Sequence, residues 1–257
     1  MGERRSGMRF RVLGPFTVST ADGRAVVLGG EKPRTMLAAL LLADGRIMTD
    51  DLLIEVLWGG RPPATVRAQL HTYASRLRAA LAPEARLVRC GAGYLLDIGD
   101  RRSDAEDFAR LSRLGQSELA EGRPSSAVGW LHAALGLWRG PALADVTEAL
   151  RDLETPRLEE MRLAALEDRI EARLALGEHS HVVPELVELV ARCPLRERLR
   201  AQLMTALQRS NRRADALGVY GQGRLILDRE LGIGPGTVLR DAYRRVVRVD
   251  GASAADH

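Results

Sequence analysis

The segment after Pro63 carries polar side chains of the kinds that read the edges of DNA bases. If the segment is helical, these side chains share one face or its margin, because residues three or four apart lie on the same side. Arginine pairs bidentately with guanine and glutamine with adenine, at roughly 1–3 kcal/mol of discrimination for each pair. By composition alone, a solvated helix face explains the pattern about equally well. The residues predicted to contact bases are Thr65, Gln69, Thr72 and Arg76.

Basic side chains around the same segment have the charge to bind phosphates. Between Trp58 and Pro83 the sequence has four arginines and no acidic residue. Contacts to phosphates supply salt-dependent affinity and fix the register of a protein on a duplex without reading its sequence. An exposed histidine without a ligand explains His71 about as well. The residues predicted to contact the DNA backbone are Lys32, Arg34, Arg61, His71, Ser75 and Arg78.

A short hairpin, Leu87–Leu96, follows the arginine-bearing segment and has two glycines at its tip. Glycine permits positive φ and lets a backbone approach a phosphate or sugar closely. An ordinary β-turn explains the tip when it is considered alone. In combination with the helix before it, the hairpin predicts a second contact with the duplex, made by Arg89, Gly91, Gly93 and Tyr94.

Further elements are needed to hold the helix and the hairpin. Three short strands are predicted from the alternating patterns at 8–14, 16–19 and 25–28. Two helices follow, one with Pro33 at its first position and one with Thr49 as its N-cap. The third helix has an apolar stripe at spacings of three and four, which predicts its buried side. The stripe consists of Val66, Leu70, Ala74, Leu77 and Leu81.

Beyond a linker at 99–103 the pattern becomes almost wholly helical and repeats itself. The segments that begin at Gly122, Gly177 and Asn211 align with one another, and the last two begin 34 residues apart. That spacing is the period of tetratricopeptide repeats, in which helical hairpins stack to bury faces that none could bury alone. The first interval is longer, 55 residues, and includes an extra segment.

Composition favours two domains and places the positive charge in the first. The chain has 257 residues, and its net charge of +4 arises from 14 basic and 10 acidic residues in 1–100, since 101–257 holds 24 of each. The two cysteines, Cys90 and Cys193, do not support a disulfide framework. A signal peptide and a membrane-spanning run are both missing from the sequence, which predicts a cytoplasmic protein without a membrane partner.

Enzyme and cofactor chemistry is not predicted. The single lysine is followed by proline, so there is no Walker A loop for a nucleotide. His179 and His181 lack the spacing and the companion ligands of a helical metal site. We therefore expect no catalytic residues, no metal and no cofactor.

Two modules resemble known families in the order in which they occur. The order β-β-β-α-α-α-β-β and the Arg-Cys-Gly-Ala-Gly-Tyr-Leu wing resemble the OmpR-type winged helix, although Cys90 departs from the usual residue. The second half resembles the bacterial transcriptional activator domain in its segments Leu-Trp-Arg-Gly-Pro-Ala-Leu, Cys-Pro-Leu-Arg-Glu-Arg-Leu and Leu-Gly-Ile-Gly-Pro-Gly. Together they resemble the SARP family, the antibiotic regulatory proteins of actinomycetes.

The resemblance implies a mixed, mainly α fold with two domains and flexible tails. An α+β winged helix-turn-helix would occupy 8–98, and an all-α tetratricopeptide-like domain would occupy 104–248. The tails would be 1–7 and 249–257.

The resemblance also implies an activator of a specialised-metabolite gene cluster. Such a protein would bind direct repeats near a promoter as a head-to-tail homodimer, associate with the nucleoid, and recruit RNA polymerase through the sigma factor and other subunits. The loop between the second and third helices would contact the polymerase through Trp58, Gly59, Gly60, Arg61 and Pro62. Two alternatives stay open, a tetratricopeptide-type interaction scaffold and a ligand-gated repressor with the same DNA-binding domain.

Overall fold

The computed structural model describes residues 7–248, which form two compact units. The first unit holds 7–113 and 133–163, and the second holds 114–132 and 164–248. Of the predicted tails, 1–6 and 249–257 lie outside the described residues, whereas Gly7 is buried. The strands are β1 (Arg9–Arg11), β2 (Thr17–Ser19), β3 (Met48–Thr49), β4 (Arg86–Cys90) and β5 (Gly93–Asp97). The helices are α1 (Glu31–Leu42), α2 (Asp50–Trp58), α3 (Val66–Leu81), α4 (Asp104–Ala120), α5 (Pro124–Leu135), α6 (Glu148–Ala175), α7 (His179–Arg192), α8 (Glu197–Arg209), α9 (Arg213–Leu231) and α10 (Thr237–Arg248).

Two small antiparallel sheets frame the first unit. In one, β1 pairs with β2, and in the other the strand order is β3-β5-β4. The predicted strand at 25–28 is wrong: it makes only a bridge from Ala25 to Ser19, and Val27 is 85% exposed. Strand β3 was not predicted, because two residues are too few to show an alternating pattern.

Helices α1, α2 and α3 pack as the apolar pattern predicts. Thr49 caps α2, since its Oγ1 accepts from the Leu52 amide at 3.3 Å. On α3 the predicted stripe is buried at Leu70, Ala74, Leu77 and Leu81, while Val66 is half-buried because the helix only begins there. The mainly helical fold with an N-terminal α+β winged helix is confirmed.

The first unit extends past the predicted boundary at residue 98. The Asp145 carboxylate accepts from the Phe16 amide at 2.6 Å and pairs with Arg34 at 2.8 Å. The Thr147 amide donates to Thr35 Oγ1 at 3.0 Å, and its hydroxyl donates to the Val56 carbonyl at 2.5 Å. Segment 142–147 therefore satisfies polar groups of α1 and α2 that would otherwise lack partners.

The buried start of α4 fixes the end of β1. Asp104 accepts from the amides of Val12 at 2.7 Å and Leu13 at 3.2 Å. Burial raises the pKa of this carboxyl, and the two amide bonds oppose that rise. The Asp104 side chain thus ties the start of α4 to the segment that follows β1.

Helical hairpins in the second unit follow the predicted repeat. The aligned residues Gly122, Gly177 and Asn211 all adopt positive φ, at 72°, 84° and 59°. Each allows the chain to turn between consecutive helices, which is why glycine or asparagine stands there. The aligned apolar positions are buried at Ala127, Leu131, Val182, Leu186 and Ala216.

No helix within 7–248 is long and apolar enough to cross a membrane.

One arginine of the second unit is buried without a carboxylate. Arg200 is 2% exposed, and its Nε donates to the Pro194 carbonyl at 3.0 Å. Burial lowers the pKa of this guanidinium, since removal from water penalises the charged form. On the same helix, Arg198 pairs with Asp168 at 2.7 Å and with the buried Glu167 at 3.5 Å.

We predict opposite effects for the two arginines in thermal unfolding. Arg200→Met should leave the free energy of unfolding unchanged or raise it by about 1 kcal/mol or more, because it removes a buried charge and keeps a side chain of similar length. Arg198→Met should lower the free energy, because Glu167 loses one of its cations. Destabilisation by Arg200→Met would contradict the prediction.

Candidate nucleic-acid interface

The exposed side of α3 presents small polar residues and one unpaired cation. Thr72, Ser75 and Arg76 are all exposed, and the Thr72 hydroxyl donates to the Ala68 carbonyl at 2.9 Å. Arg76 has no hydrogen bond, ion pair or ring contact with any residue in 7–248. Of the four predicted base-reading residues, Arg76 is the one whose donors are fully available.

Gln69 and Thr65 are already engaged with each other. Gln69 Nε2 donates to Thr65 Oγ1 at 3.0 Å, and Gln69 Oε1 accepts from the Tyr73 hydroxyl at 3.3 Å. Thr65 lies just before α3, and Gln69 is half-buried. A bidentate contact with adenine would require Gln69 to release both partners, so its predicted base-reading role carries a cost that Arg76 does not have.

Tyr73 links this pair to the loop after α2. Its ring stacks on Trp58 at a centroid distance of 6.1 Å, and the Lys32 ammonium lies 5.0 Å from the Trp58 ring. The sequence analysis missed Tyr73. The signal available was its i,i+4 spacing from Gln69, which places both side chains on the same side of the helix.

Lys32 and Arg34, predicted to contact phosphates, have partners inside the first unit. Lys32 Nζ donates to the Leu57 carbonyl at 2.6 Å, at the C-terminus of α2, and Arg34 pairs with Asp145 at 2.8 Å. Both side chains are half-buried. These contacts fix both side chains within the first unit, and their contacts with phosphates stay a prediction.

Arg61 and Arg78 keep donors available. Arg61 is exposed in the loop before α3 and has no partner among residues 7–248. Arg78 Nε donates to the Leu87 carbonyl at 2.8 Å, and the residue is otherwise exposed. The rest of the predicted polymerase-contact loop has Gly60 and Pro62 exposed, whereas Gly59 and Trp58 are half-buried.

At the hairpin tip, only one of the two glycines is placed to approach a ligand. Gly91 is exposed with φ of 55°, and Ala92 beside it accepts from the Asp50 amide at 2.8 Å. Gly93 is buried where β5 pairs with β3, and a Cβ there would collide with the Met48 carbonyl oxygen. The predicted DNA contact of Gly93 is therefore wrong: the residue is glycine because two strands meet closely.

Tyr94, also predicted on the DNA-facing wing, is completely buried. Its hydroxyl lies 2.9 Å from His71 Nδ1, and its ring lies under Arg89 at 4.7 Å and Arg78 at 5.7 Å. The prediction is wrong because the aromatic ring supplies the apolar contact between the hairpin and α3. His71 remains exposed, but one ring nitrogen is committed to Tyr94.

Arg89, the last of the predicted wing contacts, pairs with Asp50. Its two terminal nitrogens lie 2.5 and 2.7 Å from the two carboxylate oxygens, and Asp50 is 5% exposed. The carboxylate raises the pKa of Arg89 above its ordinary value. Asp50 begins α2, so the pair fastens β4 to a helix N-terminus, where negative charge is also favoured.

These contacts leave a surface with exposed donors at three places. They are the α3 face around Arg76, the loop at Arg61 and the tip at Gly91, with Arg78 between α3 and β4. Such an arrangement suits a helix lying in the major groove with flanking contacts to phosphates. In residues 7–248, no three His, Cys, Asp or Glu side chains are grouped to hold a metal ion.

Arg89→Met should destabilise the first unit, because it leaves the carboxylate of Asp50 buried without its guanidinium. We expect a lower midpoint in thermal unfolding followed by circular dichroism. Arg86→Met is the matched control on the same strand, since Arg86 is exposed and lies 3.8 Å from Asp97, and it should change the midpoint little. If Arg89→Met instead weakened DNA binding and left the midpoint unchanged, the result would support a direct contact between Arg89 and DNA.

Comparison with known proteins supports the assignment of both modules. The family model of the bacterial transcriptional activator domain matches residues 103–247. Regulatory protein DnrI of Streptomyces peucetius is 37% identical over 254 residues, which cover 95% of this chain and 93% of DnrI. Regulatory protein AfsR of Streptomyces coelicolor is 38% identical over 252 residues, which cover 98% of this chain and 25% of AfsR.

A solved structure has the same fold over almost the whole chain. Mycobacterium tuberculosis EmbR, in complex with a low-affinity phosphopeptide, matches with a TM-score of 0.86 at 35% identity. The match covers 95% of this chain and 66% of the EmbR chain. This chain therefore spans about a quarter of AfsR and about two thirds of the EmbR chain.

A winged helix followed by helical repeats defines a class of bacterial transcription regulators. Within that class, the chain belongs to the family with the bacterial transcriptional activator domain, and it is a member of the SARP transcriptional activators.

Proposed function

We propose that this chain activates transcription by binding promoter DNA through α3. The observation that carries the proposal is the exposed, unpaired guanidinium of Arg76 among the small hydroxyl residues Thr72 and Ser75. Small side chains allow the helix backbone to approach the floor of the major groove, and a free arginine matches the two acceptors of guanine. Arg61 and Arg78 supply phosphate contacts, and Gly91 brings the wing tip close to the backbone or the minor groove.

Side chains that already have partners within the protein have a conditional or supporting role in this proposal. Thr65 and Gln69 read a base only if their mutual bond opens, and His71 contacts the duplex through the nitrogen that Tyr94 does not use. Lys32, Arg34, Arg89, Gly93 and Tyr94 hold the reading surface in place. Sequence choice is accordingly assigned mainly to Arg76, with Thr72 beside it.

The target and the assembly follow from family membership. We propose that the chain binds direct repeats as a head-to-tail pair at the promoter of a specialised-metabolite gene cluster, and works at the bacterial nucleoid. Loop 58–62 lies between α2 and α3 with Arg61 and Pro62 exposed, which supports it as the surface for RNA polymerase. The relatives DnrI and RedD are named a regulatory protein and a transcriptional regulator.

Selection from a random-sequence duplex pool, followed by a titration at several salt concentrations, tests the DNA reading. Arg76→Ala should weaken binding to the selected sequence by about 5- to 100-fold and relax preference at one base pair. Arg61→Ala should weaken all sequences alike and reduce the salt slope by about one. Arg224→Ala, an exposed arginine of the second unit, is the control and should change neither.

If that selection enriches no DNA sequence, the result would favour an interaction scaffold over a DNA-binding regulator. Unchanged affinity and base preference for Arg76→Ala would refute the assignment of α3's exposed side as the reading surface.

The direction of regulation is tested with a promoter that carries the selected sequence upstream of a reporter. We expect the protein to raise transcription by at least about tenfold and Arg76→Ala to abolish the rise, because recruitment of polymerase requires the DNA contact. Lower transcription in the presence of the protein would favour a repressor. An Arg61→Ala protein that still binds the selected DNA but no longer activates would support polymerase contact through the loop.

A further inference from the structure

The second unit contains a cavity with apolar and charged side chains in its lining that the proposed function does not use. Its volume is about 600 Å³, and helices α6, α7, α8 and α10 line it. This size is in the range of pockets that bind small molecules. The side chains that concern its chemistry are Glu171, His179, Arg198, Gln202, Arg209 and Arg245.

An acceptor without a donor lies in the wall of this cavity. Gln202 is 4% exposed, and its Nε2 donates to the Glu167 carbonyl at 2.8 Å and to Glu171 Oε2 at 3.1 Å. Its Oε1 is buried and has no partner. The opposite placement of the amide would direct oxygen at these two acceptors, so the orientation with a free Oε1 is fixed by its surroundings.

The positive charge of the cavity exceeds its negative charge. Arg198 is neutralised by Glu167 and Asp168, but Arg209 and Arg245 have no carboxylate partner within residues 7–248. Glu171 is the one acidic side chain in the lining, and it already accepts from Gln202. Two guanidiniums in a cavity with one carboxylate favour an anionic occupant.

His179 adds a second buried polar atom without a partner. Its Nδ1 is buried and makes no hydrogen bond. Burial and the nearby Arg209 lower the pKa of this imidazole, so the ring is neutral at neutral pH and adds no positive charge of its own. The cavity therefore offers two cations at its exposed part and uncharged, unsatisfied polar atoms in its wall.

We propose that this cavity binds a small anionic molecule that also carries a hydrogen-bond donor. Its carboxylate or phosphate would lie between Arg209 and Arg245, and its donor, such as an ammonium or hydroxyl group, would satisfy Gln202 Oε1. The occupant differs from DNA in size and in its need for a donor, and its binding can be measured without DNA. The proposal is thus independent of how α3 reads a promoter.

Isothermal titration of the full chain with two matched pairs of probes tests the proposal. The phosphate pair is inorganic phosphate and O-phosphoethanolamine, and the carboxylate pair is butyrate and 4-aminobutyrate. In one pair we expect the ammonium-bearing member to bind at one site per chain, at least about five times more tightly than its partner, because only it carries an ammonium group that can donate to Gln202 Oε1 while its anionic group lies between the two arginines. The pair that binds identifies the anionic group.

Charge variants locate the site. Arg209→Gln with Arg245→Gln should weaken that binding by at least about tenfold, since both guanidiniums lose their charge. Arg224→Gln with Arg229→Gln removes the same charge from exposed arginines outside the cavity and should leave binding unchanged. Both double variants should have the circular dichroism spectrum of the parent, because the four substituted side chains are exposed.

Either of two results would overturn the proposal. One is the absence of saturable binding for all four probes up to about 10 mM, well above the affinities of specific small-molecule sites. The other is equal weakening by the cavity variants and the control variants, which would indicate only a general attraction of anions to a basic surface.

Discussion

The burial of Tyr94 is the constraint on which the reading surface depends. Its hydroxyl reaches His71 on α3, while its ring lies beneath Arg89 of β4 and Arg78 of α3. Arg89 continues inward to the buried Asp50 at the start of α2. One aromatic ring and one ion pair thus connect the hairpin, α3 and α2, so their relative positions are set by contacts within the first unit.

This arrangement divides the arginines of the first unit into two kinds. Arg34 and Arg89 hold carboxylates and are part of the framework, whereas Arg61 and Arg76 have no partner in residues 7–248. Removal from water makes the first kind costly to free, because each would leave a buried or half-buried acid without its cation. Arg61 and Arg76 can exchange water for a ligand at little cost, because no acid is left without its cation. The proposed interface therefore rests on free donors more than on positive charge.

The helices could be predicted from the sequence, but the strand pairing of the wing could not. The stripe on α3, the Thr49 cap and the repeat at Gly122, Gly177 and Asn211 depend on local spacing and local backbone preference, which a sequence displays directly. Strand β3 and the role of Gly93 depend on pairing between residues about 45 positions apart, Met48 with Tyr94 and Thr49 with Gly93. No local pattern records such a pairing.

For the candidate site, the sequence predicted which face of α3 is exposed but not which side chains are free. Arg76 and Thr72 are exposed as predicted, while Tyr94 is buried and Arg89 is paired. A wing pattern predicts residue types at a hairpin tip, and an aromatic residue there can face either the ligand or the core. Partners on the neighbouring helices decide which way each side chain faces. Here His71 of α3 holds Tyr94, and Asp50 of α2 holds Arg89.

Segment 142–147 shows that sequence modules and compact units need not share a boundary. It lies within 103–247, the match to the activator domain, yet Asp145 and Thr147 bond to Phe16, Arg34, Thr35 and Val56 in the first unit. Arg34 and Thr35 lie in α1 and Val56 lies in α2, and both helices pack against α3. A chain ended at the linker would expose these polar groups and the apolar surface around them. The first unit therefore requires residues from the module after it, which gives a physical reason for the two modules to occur together in one chain.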